Sequence, residues 1–416
     1  MKMKARQVIV IGGGPAGLMA AGQAAEAGAD TRLLEKMKRT GLKLCITGKG
    51  RCNFTNIAEV SDFIAHFGKT GPFLRQAFAR FFNGELMAFF NALGLKLVTE
   101  RGGRVFPASG KAPDVHRALL RWSQTSGVRI FHSAGVDKLV IHDKRVVGVV
   151  SQGREIASDA VILAAGGASY PATGSTGDSY RLSESAGHTV IPVRQALVPL
   201  VTSGGDATQM AGLNLRNVNT RMLIDGRKKR EHFGEVVFTD FGITGPSILT
   251  LSGGAVDSLN SGHKVVFSID LKPALDEKKL DARLQRDIAS QGIKPISSLL
   301  RGLIPREMVP VCLNGIDIPA ERTACHISAK ERRRLRTWLK DFRLEVTGCR
   351  PFAEAIITAG GVDTREIDPR TMQSRKTKGL FFAGELIDIQ ADTGGYNLQA
   401  AFSTGWIAGR SAARLS

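Results

Sequence analysis

No apolar run in this chain approaches the roughly 18 residues that a membrane-crossing helix needs, so a helical membrane protein is not expected. Cysteine is sparse and odd in number, with Cys45, Cys52, Cys312, Cys325 and Cys349 spread over 416 residues. A long chain of that kind does not read as a disulfide framework. The eight histidines are scattered without an HxxxH pair and no CxxC is present, so no metal site is expected. Acidic residues are short as well: 38 Asp and Glu stand against 57 Lys and Arg, a formal net charge of +19. Such an excess can attract anionic ligands, nucleic acid or an anionic membrane surface; a solvated basic surface is the plainer reading. Internal repeats and low-complexity tracts are absent.

What is present begins near the start. Val8, Ile9, Val10 and Ile11 form an apolar run, and Gly12, Gly14 and Gly17 follow as GxGxxG. Residues 18–27 then have helical composition. This is a strand, a glycine turn and a helix, the arrangement that binds a dinucleotide. Gly12 makes the tight turn, Gly14 lets the backbone approach a pyrophosphate, and Gly17 lets helix and strand pack closely. Pro15 and Ala16 open the helix, whose free N–H groups and positive dipole end attract phosphate. A second strand over residues 31–34 ends in Glu35, close to the roughly 20-residue spacing expected of the acid that binds an adenosine ribose. Lys2 and Lys4 before the apolar run imitate a signal peptide. Strand and turn explain those residues better, and a cytoplasmic protein is expected.

The organisation along the chain is α/β with interruptions. Residues 36–56 are rich in Lys and Gly without periodicity, which suggests a ligand-facing connection. A helical pattern covers 73–93, and short strands are expected at 96–99 and 103–106. A helix over 113–125 precedes strands at 128–132, 135–142 and 145–151. Residues 160–164 form a buried parallel strand whose end, Ala165-Gly166-Gly167, points at the ligand. After Gly187 the texture changes to alternating strands at 190–193, 217–224, 235–239 and 264–270, then to a helical block over 275–340. A last core strand, 379–383, and a closing helix, 398–414, return near the end. The nucleotide domain is therefore expected to be discontinuous, 1–187 with 351–416, carrying a β-rich insert (188–274 and 341–350) and a small helical sub-insert (275–340). Of the basic runs, Arg227-Lys228-Lys229-Arg230 follows the turn Asp225-Gly226 and reads as an exposed strand. Arg332-Arg333-Arg334 reads as the solvent side of a helix opened by the capping box Ser328-x-x-Glu331.

Several segments together resemble one family. They are Gly12 to Gly17 with Glu35, Gly48-Lys49-Gly50-Arg51-Cys52-Asn53-Phe54-Thr55-Asn56, Gly103-Arg104-Val105-Phe106-Pro107, Thr239-Asp240-Phe241-Gly242-Ile243-Thr244-Gly245-Pro246, Ala359-Gly360-Gly361-Val362, and Gly384-Glu385 through Gly394-Gly395-Tyr396-Asn397. Their order and spread resemble the HI0933-like, or BaiN-like, family of FAD-dependent oxidoreductases, some of which are known as aminoacetone oxidases. The resemblance implies a Rossmann-like FAD-binding domain, a β-barrel-like insert and a helical sub-insert. It implies FAD at Gly12, Gly14, Pro15, Ala16 and Gly17, with Glu35 on the adenosine ribose and Lys36 and Val136 beside it. Lys43 with Gly50, Arg51, Cys52 and Asn53 would line the cofactor, and Ala165, Gly166 and Gly167 would pass alongside. Gly384, Glu385 and Asp388 would meet the ribityl and pyrophosphate. Gly394, Gly395, Tyr396 and Asn397 would face the flavin pyrimidine edge, where a helix N-terminus stabilises negative charge.

The sequence contains no second GxGxxG followed by a helix and an acid, so a dedicated NAD(P)H domain is not expected. NAD(P)H as donor would dock transiently in the cleft of a small-molecule substrate. No acid or base is legible; Arg51, Arg104, Tyr396 and Asn397 are the polar candidates for the flavin face. His188, at a helix end, reads as a cap. Two alternatives stay open. Cys45 and Cys52 stand where disulfide reductases keep a redox pair, although Cys45 departs from the family pattern. The basic charge leaves an RNA-interacting or RNA-modifying flavoprotein possible in principle. Oligomeric state is not legible.

Overall fold

The computed structural model describes residues 5–414; Lys2 and Lys4 lie outside them. Two compact units emerge, one formed by the chain up to Gln195 together with the chain from Phe352 onward, the other by Ala196–Pro351.

The first unit is built on a five-stranded parallel sheet in the order Leu380–Phe382, Ala160–Leu163, Gln7–Ile11, Asp30–Leu34, Arg129–Phe131. The first strand lies in the middle, with Ile11 level with Leu34 on one side and Leu163 on the other. Val8, Ile9 and Val10 are buried, which explains why this strand reads as an unbroken apolar run. The first helix, Pro15–Glu26, packs against the closing helix, Tyr396–Ala413. A Cβ added at Gly405 would lie 2.4 Å from the Ala16 carbonyl oxygen, and one at Gly409 would lie 2.2 Å from that of Ala20. These two glycines set how closely the helices approach. Phe402, fully buried, packs edge-on to Phe90 at 5.5 Å, and Phe90 in turn packs edge-on to Phe54 at 5.1 Å; emptying such a site costs about 3–5 kcal/mol.

Around this sheet stand two small antiparallel sheets. One joins Thr55–Asn56, Arg104–Pro107 and Leu97–Glu100; the other joins Val136–His142, Arg145–Ser151 and Arg154–Ala157. The helical pattern expected over 73–93 is interrupted. Arg75–Phe78 ends, Phe82 is extended, and Asn83–Ala92 starts afresh with the Glu85 carboxylate accepting from the Phe82 N–H. Asn83 causes the break to dock, donating to the carbonyls of Asn56 and Ala58. Residues 36–56, read as an irregular connection, hold a short helix, Leu42–Gly50, with non-helical backbone at Thr47, Gly48 and Lys49.

The second unit is a closed antiparallel barrel in the order Leu200–Thr202, Gly242–Thr244, Arg227–Phe238, Asn214–Ile224, Val265–Asp270, Phe342–Cys349. Asp225 and Gly226, both at positive φ, make the hairpin turn, and Arg227 through Arg230 are exposed. The sequence reading had no helix at Pro246–Asn260, yet a 15-residue helix forms there and buries Ile248, Leu251, Ala255 and Val256. The helical block contains Glu277–Gln291, Ile296–Leu300, Met308–Ile316 and Ala329–Lys340. Ser328 and Glu331 make the capping box. In the basic run that follows, Arg333 and Arg334 are exposed, whereas Arg332 is tied to Asp281 at 3.1 Å and is not part of a free face.

Candidate FAD site

The candidate site lies within the first unit. At the glycine turn, Gly12 sits at φ +102°, and a Cβ there would lie 2.6 Å from Ala165 Cα; one at Gly17 would lie 1.8 Å from the Gly12 carbonyl oxygen. Neither position has room for a side chain. Gly14 is different: a Cβ there would meet nothing within 4 Å. It caps the first helix with no side-chain hydrogen bond, and Pro15 has no N–H to present. The first ladder bond runs from Leu18 to Gly14, which leaves the Ala16 and Gly17 N–H groups at an open, positively polarised helix end. Space and donors of this kind fit a pyrophosphate.

Glu35 ends the second strand almost buried. Its Oε2 accepts from the Gly13 N–H at 2.7 Å and its Oε1 from the Met37 N–H at 2.8 Å. Each oxygen retains accepting capacity for a hydroxyl pair. Lys36 pairs with Asp178 at 2.6 Å and bonds Thr176, so its ammonium is held by the turn at 176–178. Val136 follows Ala134, whose N–H bonds the Glu35 carbonyl at 2.9 Å; the segment thus runs beside the acid.

Lys43 and Glu385 join distant parts of the chain in a 2.7 Å ion pair, about one-fifth exposed on each side. The other Glu385 oxygen accepts from the Thr358 N–H at 2.6 Å. Thr358 Oγ1 accepts in turn from the N–H groups of Ala168 and Ser169, fixing the chain after Ala165, Gly166 and Gly167. Gly384 donates its N–H to Thr404 Oγ1, and the Asp388 N–H bonds the Val362 carbonyl. In the 50–53 turn, Cys52 adopts φ +59°. The Asn53 Oδ1 is buried with no hydrogen-bond donor, an orphan that a bound polar ring edge would satisfy.

The catalytic candidates separate. Arg51 and Arg104 both attend Glu100, at 2.5 and 3.8 Å, and the Arg51 guanidinium lies over the Phe106 ring. They form an exposed cluster on the small sheet. Asn397 has its amide committed to the loop behind it: Oδ1 accepts from the Ala391 N–H and Nδ2 donates to the Ala391 carbonyl, both at 2.9 Å. Its role is to shape the approach to the closing helix. Tyr396 is buried, edge-on to Phe63 and stacked on His66 at 3.9 Å, and burial raises its phenol pKa. Gly395 caps the closing helix at φ +97° without a side-chain bond, and a Cβ there would lie 2.3 Å from the Thr55 carbonyl oxygen. Gly394 offers its carbonyl to Asn56 Nδ2 at 3.1 Å.

Sequence reasoning missed His66, whose Nδ1 stands 3.2 Å from Asp392 Oδ2. A lone histidine gave no signal, and its partner lies 326 positions away. Thr358 was missed for the same reason. His188, read as a helix cap, does bond the Ser183 carbonyl through its backbone N–H, but its ring is fully buried. That ring bonds Ser374 Oγ at 2.7 Å and packs on Phe382, and burial lowers its pKa. Cys52 is fully buried, and desolvation pushes its thiol up to about 12 despite a bond from Thr47. A thiolate nucleophile is disfavoured there, which argues against a Cys45/Cys52 redox pair.

The HI0933-like protein Rossmann domain matches residues 6–411. The chain belongs to the HI0933-like family. It is accordingly a flavoprotein oxidoreductase whose Rossmann domain serves FAD. Among its relatives is a 3-dehydro-bile acid delta(4,6)-reductase of Clostridium scindens, 32% identical over 97% of this chain and 98% of the relative. A ribosomal RNA dihydrouridine synthase of Escherichia coli is 28% identical, covering 97% of both chains. Among solved structures, the FrdA chain of Escherichia coli quinol fumarate reductase gives a TM-score of 0.51 at 17% identity, over all of this chain and 71% of that one. A 3-ketosteroid delta1-dehydrogenase of Sterolibacterium denitrificans gives 0.50 at 13%, over 99% and 100%. These two likenesses show a shared fold. Among the described residues no helix is long and apolar enough to cross a membrane.

Proposed function

We propose that this HI0933-like protein is an FAD-dependent reductase of carbon–carbon double bonds conjugated to a carbonyl, acting on a small cyclic substrate in the cytoplasm. The observation that carries this reading is the full-length match to two relatives whose named reactions share that chemistry. A delta(4,6)-reductase of a 3-dehydro-bile acid saturates ring double bonds beside a ketone, and dihydrouridine arises by saturating the ring double bond of uridine beside a carbonyl.

FAD supplies hydride chemistry when bound. In our assignment the open helix end at Gly12, Gly14, Pro15, Ala16 and Gly17 holds the pyrophosphate, and Glu35 holds the ribose with Lys36 and Val136 beside it. Lys43, Gly50, Cys52 and Asn53 line the other side, with Ala165, Gly166, Gly167, Gly384, Glu385 and Asp388. Gly394, Gly395 and Tyr396 turn the closing helix's N–H groups toward the pyrimidine edge. His66, oriented by Asp392 and stacked on Tyr396, is the assigned proton source for the carbon next to the carbonyl. NAD(P)H is the assigned donor, docking in the substrate cleft.

Anaerobic stopped-flow mixing tests this. NADH or NADPH should bleach the flavin, and a cyclic enone should then restore its colour. Enones that leave the reduced flavin unchanged, while amines reduce the oxidised form, would overturn the reading in favour of an amine oxidase. One observation favours a second reading, an RNA substrate: the net charge of +19 with the exposed run Arg227 to Arg230. RNA affinity that stays flat between low and high salt would sink it.

A further inference from the structure

The first unit carries a cavity of about 360 Å³ toward the far end of the closing helix, with Phe381 and Ile407 in its apolar part. Arg80, Arg410 and Arg414 line it together with Gln373, Thr371 and Trp406. Trp406 and Arg410 stand about 15 and 21 Å along the helix from Tyr396 at 1.5 Å of rise per residue, and none of the residues that line this cavity is among those assigned to the cofactor.

Its composition is one-sided. Among the described residues no carboxylate lines it, and neither Arg80 nor Arg414 has an ion-pair partner there. Arg410 spreads over the Trp406 ring, 4.7 Å from its centroid, and reaches Gln23 Oε1 only at 3.5 Å. The Trp406 ring is also stacked on Phe81, 5.6 Å between centroids. The Gln373 Nε2 is buried with no acceptor. Three guanidiniums, which donate in forks, and an unsatisfied amide make a surplus of donors over acceptors. A carboxylate offers two oxygens and one charge; a phosphate offers three oxygens and up to two charges, and matches that surplus better.

We propose that this cavity binds the phosphate group of a small anionic ligand. The net positive charge of the protein brings anions to its whole surface, and the cavity would convert that attraction into a saturable site.

Calorimetric titration of FAD-loaded protein with inorganic pyrophosphate and, separately, with AMP at fixed ionic strength tests the proposal. Saturable binding of one equivalent is expected; pyrophosphate binding tighter than AMP assigns a free phosphate, and the reverse assigns a nucleotide. Either affinity should fall at least tenfold in R80A/R414A and again in Gln373→Leu, with flavin content unchanged. A control carrying K330A, R333A and R334A, on an exposed helix of the other unit, should bind as the parent does. No saturable binding, or equal losses in cavity and control variants, would overturn the proposal. So would a decauridylate that binds a hundredfold tighter than pyrophosphate and loses affinity in R80A/R414A, because the site would then read a nucleic-acid backbone.

Discussion

The first and closing helices both begin at a glycine with no side-chain cap, yet the two starts are built differently. Gly14 has extended backbone and open space beyond it; Gly395 is left-handed and presses on the Thr55 carbonyl. One start faces open space, the other is fixed by what it touches within the protein. The same element, a polarised helix end, is thus placed once by an opening and once by a close contact.

The strongest way to break this comparison is to fill the closed positions. Gly17→Val should place side-chain atoms inside van der Waals distance of Gly12, costing about 3 kcal/mol or more and abolishing flavin retention, as urea denaturation and the flavin absorbance of purified protein would report. Gly395→Ala combines left-handed strain with the Thr55 contact and should cost about 2–3 kcal/mol. Asn397→Ala removes two bonds that brace Ala391; a loss of about 1–2 kcal/mol and weaker FAD binding in equilibrium dialysis are expected.

Gly14→Ala sharpens the contrast. Its methyl group meets no protein atom, so stability should stay within about 0.5 kcal/mol of the parent, while FAD affinity falls at least tenfold. Unchanged FAD affinity would mean that the opening does not receive the pyrophosphate. A smaller effect comes from His188. Its lowered pKa means that the unfolded chain takes up the proton first as pH falls below 6.5. Stability should therefore decline as pH falls through 6.5 and below, and Tm against pH for the parent and His188→Asn would show it. The smallest effect belongs to Cys45→Ser, which should leave flavin turnover with NADH unchanged; Cys52 should resist iodoacetamide in the folded protein while exposed Cys325 reacts.

The parallel sheet and the glycine turn were legible because a buried parallel strand has no polar face to hide and because Glu35 follows at a fixed spacing. The closing helix start was legible only beside the other family segments; alone, Gly394-Gly395 is an ordinary turn. Pro246–Asn260 escaped notice because its serines and central glycines imitate a loop, while burial of Ile248 and Leu251 overrides that propensity. The break at Phe82 escaped notice because the apolar pattern continues through it, and Asn83 decides it through carbonyls that lie 25 and 27 positions earlier. Arg51 and Arg104 were reasonable as polar residues in motif segments, but nothing in their spacing revealed that Glu100 binds both.

The strand that completes the sheet edge, Leu380–Phe382, and the helix that begins at Tyr396 come after most of the polypeptide. A ribosome making this protein releases the glycine turn well before its counterpart. The nascent chain must therefore carry an unfinished sheet, with an open strand edge, through the synthesis of the whole barrel unit. A stop codon between the barrel unit and Leu380 would yield a chain with an intact GxGxxG but without its edge strand and closing helix, and quality control would meet it as an exposed edge rather than as a missing fingerprint.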